Sequence, residues 1–357
     1  MSTHAFSLHQ LGWRPFYSQQ LTLDHLEAGF PARVAVVQRS SLTVLTESGE
    51  RNVTVPPYLR SDEARPAITV GDWVLVQHDA PQAIHLIERQ SLIARVAAGS
   101  DSRPQSIAAN VDTLFVVMSC NADFNLSRLE RYLAVAFEAR VTPVVALTKA
   151  DLCADVAPLV SQVEAIASNV AVVALDATNA ARSIESLQPW LAPGQTIAFV
   201  GSSGVGKSTL TNTLLGVEAQ ETSDIRESDS KGRHTTTARY LRCTAGGVWL
   251  IDTPGMRELK IGAATTGISR TFTDIEELAA QCRFRDCSHQ HDNNGCALQA
   301  AVAEGRLEAR RLTSFLKLER EAARATQTRW QEHQNNRQFG RMARAAQKRR
   351  RKETGRE

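Results

Sequence analysis

A glycine-rich segment in the middle of the chain constrains the fold more than any other feature of the sequence. It follows a short apolar run at 196–200 that predicts a buried strand, and it precedes a run at 210–215 that predicts the first turns of a helix. A strand, a Gly-x4-Gly-Lys-Ser loop and a helix in this order are typical of phosphate-binding loops, in which backbone N–H groups and the helix N-terminus face phosphate oxygens. The alternative is a glycine-rich turn that matches the pattern by chance. The residues of the predicted loop are Gly201, Ser202, Ser203, Gly204, Val205, Gly206, Lys207, Ser208 and Thr209.

Two side chains of this loop have predicted roles toward a nucleoside triphosphate. We expect Lys207 to reach the β- and γ-phosphates and the Ser208 hydroxyl to ligate Mg²⁺. The loop alone does not identify the base, so base selection has to come from another part of the chain.

A segment at 148–151 supplies a candidate for base selection. It follows a predicted strand at 143–147, reads Thr148-Lys149-Ala150-Asp151, and resembles the guanine-specificity motif of GTPases, usually written Asn-Lys-x-Asp. In that role Asp151 accepts two hydrogen bonds that guanine can donate and adenine cannot, and the stem of Lys149 packs along the ring. Thr148 replaces the usual asparagine, and its hydroxyl can still bond locally to hold the loops together.

Three more segments fit the same kind of site. Ala177 follows a predicted strand at 170–175, where GTPases usually carry Ser-Ala and a backbone N–H contacts guanine O6; here Asp176 replaces the serine. The polar segment 231–237 lies where a first switch is expected. Asp252 and Gly255 match the Asp-x-x-Gly motif, in which the aspartate holds Mg²⁺ through water and the glycine N–H senses the γ-phosphate. The four segments at 148–151, 176–178, 201–209 and 252–255 each follow a predicted strand, and the carboxyl ends of strands are where an open parallel sheet binds its ligand.

The order of these motifs is unusual. GTPases normally present the phosphate loop first and the base-recognition loops last, whereas here 148–151 and 176–178 precede 201–209, and the switches follow. The sequence therefore predicts a circularly permuted GTPase domain whose second switch runs directly into the C-terminal region. Met256 stands where many GTPases carry a glutamine that orients water, so we expect slow intrinsic hydrolysis, with His234 as a candidate catalytic residue or, alternatively, a loop residue without a role.

Charge and composition indicate the partner and the compartment. Residues 306–357 carry 16 Lys and Arg against 6 Asp and Glu, a net charge of +10, while the other 305 residues have a net charge of −7. A basic segment on an acidic body favours a polyanionic partner, although a solvated helix with a disordered tail gives the same composition. No apolar run is long enough for a membrane helix and the N-terminus lacks a secretory pattern, so we expect a cytoplasmic protein without a membrane partner.

Three of the six cysteines are clustered near the C-terminal region. Cys282, Cys287, His289 and Cys296 form the pattern Cys-x4-Cys-x-His-x6-Cys, which suits a closed, structural Zn²⁺ site with one ion per chain. His291 is a rival for the imidazole ligand. Unligated thiols are the alternative, and a disulfide does not suit the expected compartment.

The two ends of the chain have simpler patterns. Residues 1–30 read as an arm that docks on another part of the molecule, and 31–90 contain five short predicted strands that favour an OB-fold, either as an RNA-binding module or as a scaffold. Residues 91–260 hold the GTPase motifs. Within 261–357, the stretch from 297 to 347 predicts a long helix broken near Gly305 and Gly340.

Taken together, these motifs resemble those of a known family, the circularly permuted small ribosomal subunit biogenesis GTPases (RsgA, or YjeQ). The resemblance covers most of the chain and includes Leu11-Gly12-Trp13, Val70-Gly71-Asp72-Trp73-Val74, the strand-end motifs, the segment around His234 and the Cys/His cluster. It implies an α/β architecture with an N-terminal OB-fold barrel, a central permuted GTPase domain and a C-terminal, mainly α zinc-binding domain. It also implies GTP and GDP as ligands and the small (30S) ribosomal subunit with its 16S rRNA as partner, with GTP hydrolysis stimulated by that subunit; we expect a monomer.

Two other functions remain open from the sequence. One is a GTP-gated RNA-binding scaffold without relevant turnover. The other is an ATP-dependent RNA-modifying factor, which the guanine assignment of Asp151 argues against.

Overall fold

The computed structural model describes residues 5–60, 67–96, 104–216, 239–252, 264–289 and 295–326. Within these ranges the chain forms a small β-barrel, a mainly parallel sheet flanked by helices, and a C-terminal group of helices. None of the helices in these ranges is both long and apolar enough to cross a membrane.

The predicted barrel is confirmed. Its five strands are β1 (Gly29–Val37), β2 (Ser41–Thr46), β3 (Gly49–Thr54), β4 (Trp73–Gln77) and β5 (Ala83–Leu86). β1 pairs with β2 and β4, β2 with β3, and β4 with β5, all antiparallel. A parallel bridge between Thr54 and Gln82 joins the end of β3 to the start of β5. The strands therefore close in the order β1-β2-β3-β5-β4, as expected for a five-stranded OB-fold.

The N-terminal arm docks at the junction of the barrel and the sheet. It contains the short helices α1 (Pro15–Ser18) and α2 (Leu23–Ala28). Leu11 is fully buried, and the Trp13 ring meets the edge of the Trp73 ring with centroids 4.8 Å apart. The indole N–H of Trp249 donates to the Gln10 carbonyl at 2.7 Å. Through these contacts the arm contributes side chains to the hydrophobic core.

The central sheet has the topology of a nucleotide-binding domain. A hairpin that the sequence patterns did not predict, β6 (Leu92–Val96) and β7 (Pro104–Ala109), precedes it. The sheet strands are β8 (Thr113–Ser119), β9 (Thr142–Thr148), β10 (Ala171–Ala174), β11 (Thr196–Val200), β12 (Tyr240–Cys243) and β13 (Trp249–Asp252). β10-β9-β8-β11-β13 are parallel in this order, and β12 is antiparallel to β13. Every residue of β8 and β11 is buried, which explains why these runs are apolar without alternation.

Helices connect these strands. They are α3 (Leu126–Glu138), α4 (Ala157–Ile166), α5 (Ala180–Leu187) and α6 (Lys207–Leu215), with one-turn 3-10 helices at Ala150–Leu152 and Gln188–Trp190. A further one-turn 3-10 helix, Pro57–Leu59, follows β3 in the barrel. Barrel and sheet are continuous, because Val36 of β1 pairs with Tyr240 of β12.

The C-terminal part is helical, as predicted. Its helices are α7 (Thr265–Thr271), α8 (Thr273–Ala279), α9 (Ala297–Ala303) and α10 (Ala309–Thr326). The expected break near Gly305 is confirmed: this residue has φ +74°, a left-handed conformation suited to glycine, and it separates α9 from α10. The second expected break, at Gly340, lies outside the described residues.

Helix α7 lies unusually close to helix α3. A Cβ atom on Gly267 would fall 2.0 Å from the Ala134 carbonyl oxygen, and the Gly267 N–H donates to Glu138 at 2.8 Å. Only a glycine permits this approach, so the backbone of α7 packs directly against the backbone of α3.

We expect Gly267→Ala to lower the free energy of unfolding by about 1–3 kcal/mol, because the added methyl group forces the two helices apart. Gly246→Ala is the matched control, since the nearest atom to its Cβ would be 3.9 Å away, and its effect should stay within about 0.5 kcal/mol. Urea denaturation of both variants measures the difference. Equal stabilities would contradict the close packing of α7 on α3.

Candidate nucleotide and metal sites

The glycine-rich loop connects the C-terminal end of β11 to α6. Gly201 has φ +150°, and a Cβ there would fall 2.2 Å from the Val117 carbonyl oxygen of the neighbouring strand β8. Gly204 and Gly206 also have positive φ values, of +78° and +96°. The loop therefore adopts a path that only glycines allow at these points, and the Lys207 ammonium folds back over it to donate to the Ser202 carbonyl.

Thr148 joins the base-recognition segment to this loop. Its hydroxyl oxygen lies 2.6 Å from the Val205 carbonyl oxygen and 3.1 Å from the Met118 carbonyl oxygen, and the residue is fully buried. Since a hydroxyl has a single proton to donate, the two carbonyls share it. Threonine thus makes the cross-loop contact at the position where asparagine is usual.

The remainder of the predicted base-recognition segment continues from Thr148 into a one-turn helix. Lys149 has φ +57°, in the left-handed region, and Asp151 follows in an exposed one-turn helix. The Ala150 N–H donates to the Leu175 carbonyl at 3.4 Å, which links this segment to the loop after β10. Both loops leave the same edge of the sheet as the glycine-rich loop.

Asp176, the departure from the usual Ser-Ala, has a local structural role. Its carboxylate accepts from the Thr178 N–H at 2.8 Å and from the Thr178 hydroxyl at 2.6 Å, and these hydrogen bonds lower its pKa. The side chain is therefore occupied within its own turn, while the next residue, Ala177, is buried.

The switch residues are only partly described. Asp252 is the last residue of β13 and pairs with Tyr240 of β12, so its backbone lies at the same sheet edge as Gly201. His234, Gly255 and Met256 lie outside the described residues.

The four predicted metal ligands come together. The ligand atoms of Cys282, Cys287, His289 and Cys296 all lie within 4.8 Å of one another. His289 Nδ1 is 3.6 Å from the Sγ atoms of both Cys282 and Cys296. Bonds of about 2.3 Å to sulfur and about 2.05 Å to nitrogen at a tetrahedral angle give an S···N separation of about 3.6 Å, so the donor set fits Zn²⁺. The rival ligand His291 lies outside the described residues.

Backbone contacts around this cluster fix its shape. The Ala297 N–H donates to Cys282 Sγ at 3.3 Å, and the Arg283 N–H donates to the Gly295 carbonyl at 2.9 Å. Gly295 has φ +111°, which turns the chain so that Cys296 returns to the other ligands. Burial lowers the pKa of His289 and so favours the neutral imidazole that binds metal.

One residue of the site was missed by sequence reasoning. Arg128, in the first turn of α3, donates to the Ser202 hydroxyl of the glycine-rich loop and lies 2.9 Å from both carboxylate oxygens of Asp123. The available signal was topological: α3 begins at the end of β8, and β8 is adjacent to β11 in the sheet.

Comparisons with known proteins agree with this geometry. Residues 86–262 match the family model described as RsgA GTPase. The chain is 49% identical over 346 residues to a Vibrio vulnificus protein named small ribosomal subunit biogenesis GTPase RsgA 2, covering 97% of both chains. It is 46% identical over 315 residues to a Mesorhizobium japonicum protein named small ribosomal subunit biogenesis GTPase RsgA, covering 87% of this chain and 89% of that protein.

Solved structures share the fold. YjeQ from Thermotoga maritima superposes with a TM-score of 0.59 at 22% identity, over 82% of this chain and 98% of that one. YloQ, described as a circularly permuted GTPase, superposes with a TM-score of 0.54 at 22% identity, over 86% and 99% of the two chains.

We expect one zinc ion per chain in the purified protein and its loss in Cys282→Ser, because three remaining ligands bind the ion more weakly than four. Cys243→Ser, which replaces a half-buried cysteine outside the cluster, should retain the metal. Inductively coupled plasma mass spectrometry measures both. Full zinc content in Cys282→Ser would contradict the assignment of this ligand.

Proposed function

Because this chain belongs to the family of small ribosomal subunit biogenesis GTPases RsgA, we propose that it binds the small (30S) ribosomal subunit late in maturation and hydrolyses GTP to GDP and phosphate there. The observation that carries this proposal is the convergence of the glycine-rich loop, Thr148 and both base loops at one edge of a parallel sheet. Their chain order is permuted, as in the structural relative YloQ.

Each of these loops has its own role in binding the nucleotide. Backbone N–H groups of 201–206 and the Lys207 ammonium face the phosphates, and Asp151 and the Ala177 N–H select guanine. Ser208 and Asp252 are the residues that would hold Mg²⁺, which neutralises phosphate charge when bound. Gly255 senses the γ-phosphate.

The residue that activates the attacking water is inferred from its position in the sequence. Met256 cannot orient the attacking water, so intrinsic hydrolysis is slow, and His234 in the preceding switch segment is the proposed catalytic residue. Contact with the subunit is then what completes the site.

The other parts of the chain serve binding to the subunit. We propose an arm at 1–30, an RNA-binding barrel at 31–90, the nucleotide domain at 91–260 and a zinc-binding part at 261–357, whose cysteines and His289 hold one structural Zn²⁺. Basic residues of 306–357 other than Arg310 and Arg311, which pair with Glu130, contact 16S rRNA phosphates. The protein acts as a monomer in the cytoplasm, where ribosomes are assembled.

Hydrolysis in the presence of small subunits tests the function. We expect the rate of phosphate release to rise at least about tenfold when purified small subunits are added, since a positioned group in the transition state contributes a hundredfold or so to hydrolysis. Large subunits are the control and should have little effect. Binding to small subunits without any stimulation would favour the GTP-gated scaffold instead.

Base selection has its own test. We expect Asp151→Asn to weaken GTP binding by about 2–3 kcal/mol and to improve binding of xanthosine triphosphate, because the amide can donate to the xanthine oxygen that replaces the guanine amine. Asp155→Asn is the control, because Asp155 is a nearby exposed carboxylate that accepts from the Ala157 N–H at the start of α4. Competition binding with the two nucleotides measures the preference, and an unchanged preference would refute the role of Asp151.

A further inference from the structure

A cation outside the glycine-rich loop is fixed against it. Arg128 donates through Nη1 to the Ser202 hydroxyl and to both carboxylate oxygens of Asp123, and its side chain is 34% exposed. Ser202 is the second residue of the loop, and its carbonyl accepts from the Lys207 ammonium. Ser202 is therefore contacted by two cations: Arg128 donates to its side chain, and Lys207 donates to its backbone carbonyl.

The segment that carries Arg128 is well ordered by its own hydrogen bonds. Asn125 caps α3 by accepting from the Arg128 N–H at 2.9 Å, and the Asp123 N–H donates to the Asn121 side chain at 3.0 Å. The Ser119 hydroxyl donates to the same Asn121 oxygen at 2.7 Å. The guanidinium is thus aimed at the loop from a preorganised turn.

The next turn of α3 is anchored on its other side. Glu130 is fully buried and accepts from Arg310 at 3.1 Å and from Arg311 at 3.0 Å, both on α10. Arg131 makes a two-point pair with Glu321 of α10 at 2.6 and 2.8 Å. Helix α3 therefore has little freedom to move away from the loop, and Arg128 is held in place by the C-terminal part.

We propose that Arg128 is a positioning residue for guanine nucleotide binding, which acts through Ser202 to hold the phosphate loop in its binding conformation. The inference rests on the proposed function, because it assigns the bound anion as the phosphates of GTP and GDP. The contact is made with the loop and not with a reacting atom. Loss of this contact therefore weakens binding in the ground state and in the transition state equally. The KM for GTP and the Kd for GDP rise, and kcat stays unchanged.

A double-mutant cycle in the full-length chain tests this assignment. Arg128→Ala should raise the Kd for GDP and the KM for GTP about tenfold, the size expected for one hydrogen bond to a charged group, with kcat within about twofold of the wild type. Ser202→Ala removes the same contact from the other side and should have a similar effect. The Kd of the double variant for GDP should also be only about tenfold above that of the wild type, since both changes remove the same interaction.

Two further variants separate positioning from a general loss of structure. Arg128→Lys keeps a cationic donor and should recover most of the GDP affinity. Arg95→Ala removes an arginine of β6 that donates to Gln105 and not to the loop, and it should leave GDP affinity unchanged. Thermal unfolding of every variant checks that the fold is retained.

Several results would overturn the proposal. The first is a drop in kcat at unchanged GDP affinity, which would indicate direct contact of Arg128 with the transferred phosphate. The second is additivity of the Arg128 and Ser202 changes. The third is an unchanged Kd for GDP in Arg128→Ala. A wild-type chain that binds no guanine nucleotide would overturn the proposed function as well, so the two failures are distinguishable.

Discussion

A buried guanidinium at the junction of arm, barrel and sheet determines how these parts are arranged. Arg33 of β1 is 1% exposed, donates to the Leu11 carbonyl and the Thr196 hydroxyl, and lies between the rings of Trp73 and Trp249. Burying a charge costs several kcal/mol unless hydrogen bonds and aromatic faces offset it, and burial lowers the pKa of Arg33 to about 10, so the group stays charged at neutral pH. Thr196 begins β11, whose far end carries the phosphate loop. The orientation of the barrel is therefore tied to the strand that positions the nucleotide site.

Much of this arrangement follows from local sequence patterns. The strands that end in binding motifs are recognisable because each is a short apolar run followed by a polar segment of defined composition, as at 143–151 and 196–209. A parallel sheet then places all such segments at one edge, whatever their order in the chain. The barrel is also predictable, since five short strand-like runs separated by turns lie within about sixty residues. In the metal cluster, three thiolates and one imidazole within fifteen residues already restrict the geometry to a closed tetrahedral site.

Other features depend on partners distant in the sequence. Strand β12 is short and carries Arg242 and Cys243, so its pairing with β13 and with β1 comes from neighbours and not from its own composition. The contact of Arg128 with Ser202 joins residues 74 positions apart, and nothing in either segment alone indicates it. The same holds for Gly267, an unfavourable residue for a helix interior whose presence is explained by the Ala134 carbonyl beside it. For Asp176, the local hydrogen bonds with Thr178 explain a departure that the motif alone leaves unexplained.

The contact between Gln10 and Trp249 has a consequence for synthesis. These residues are separated by 239 positions, so the arm emerges from a translating ribosome long before its partner exists. Phe6 meets the same indole ring with centroids 5.2 Å apart. Pairings this distant close late in folding, because the entropy of a long loop has to be overcome before the contact can form. The arm is thus among the last parts of the chain to reach its native neighbours, and until then its apolar side chains remain exposed to solvent or to chaperones.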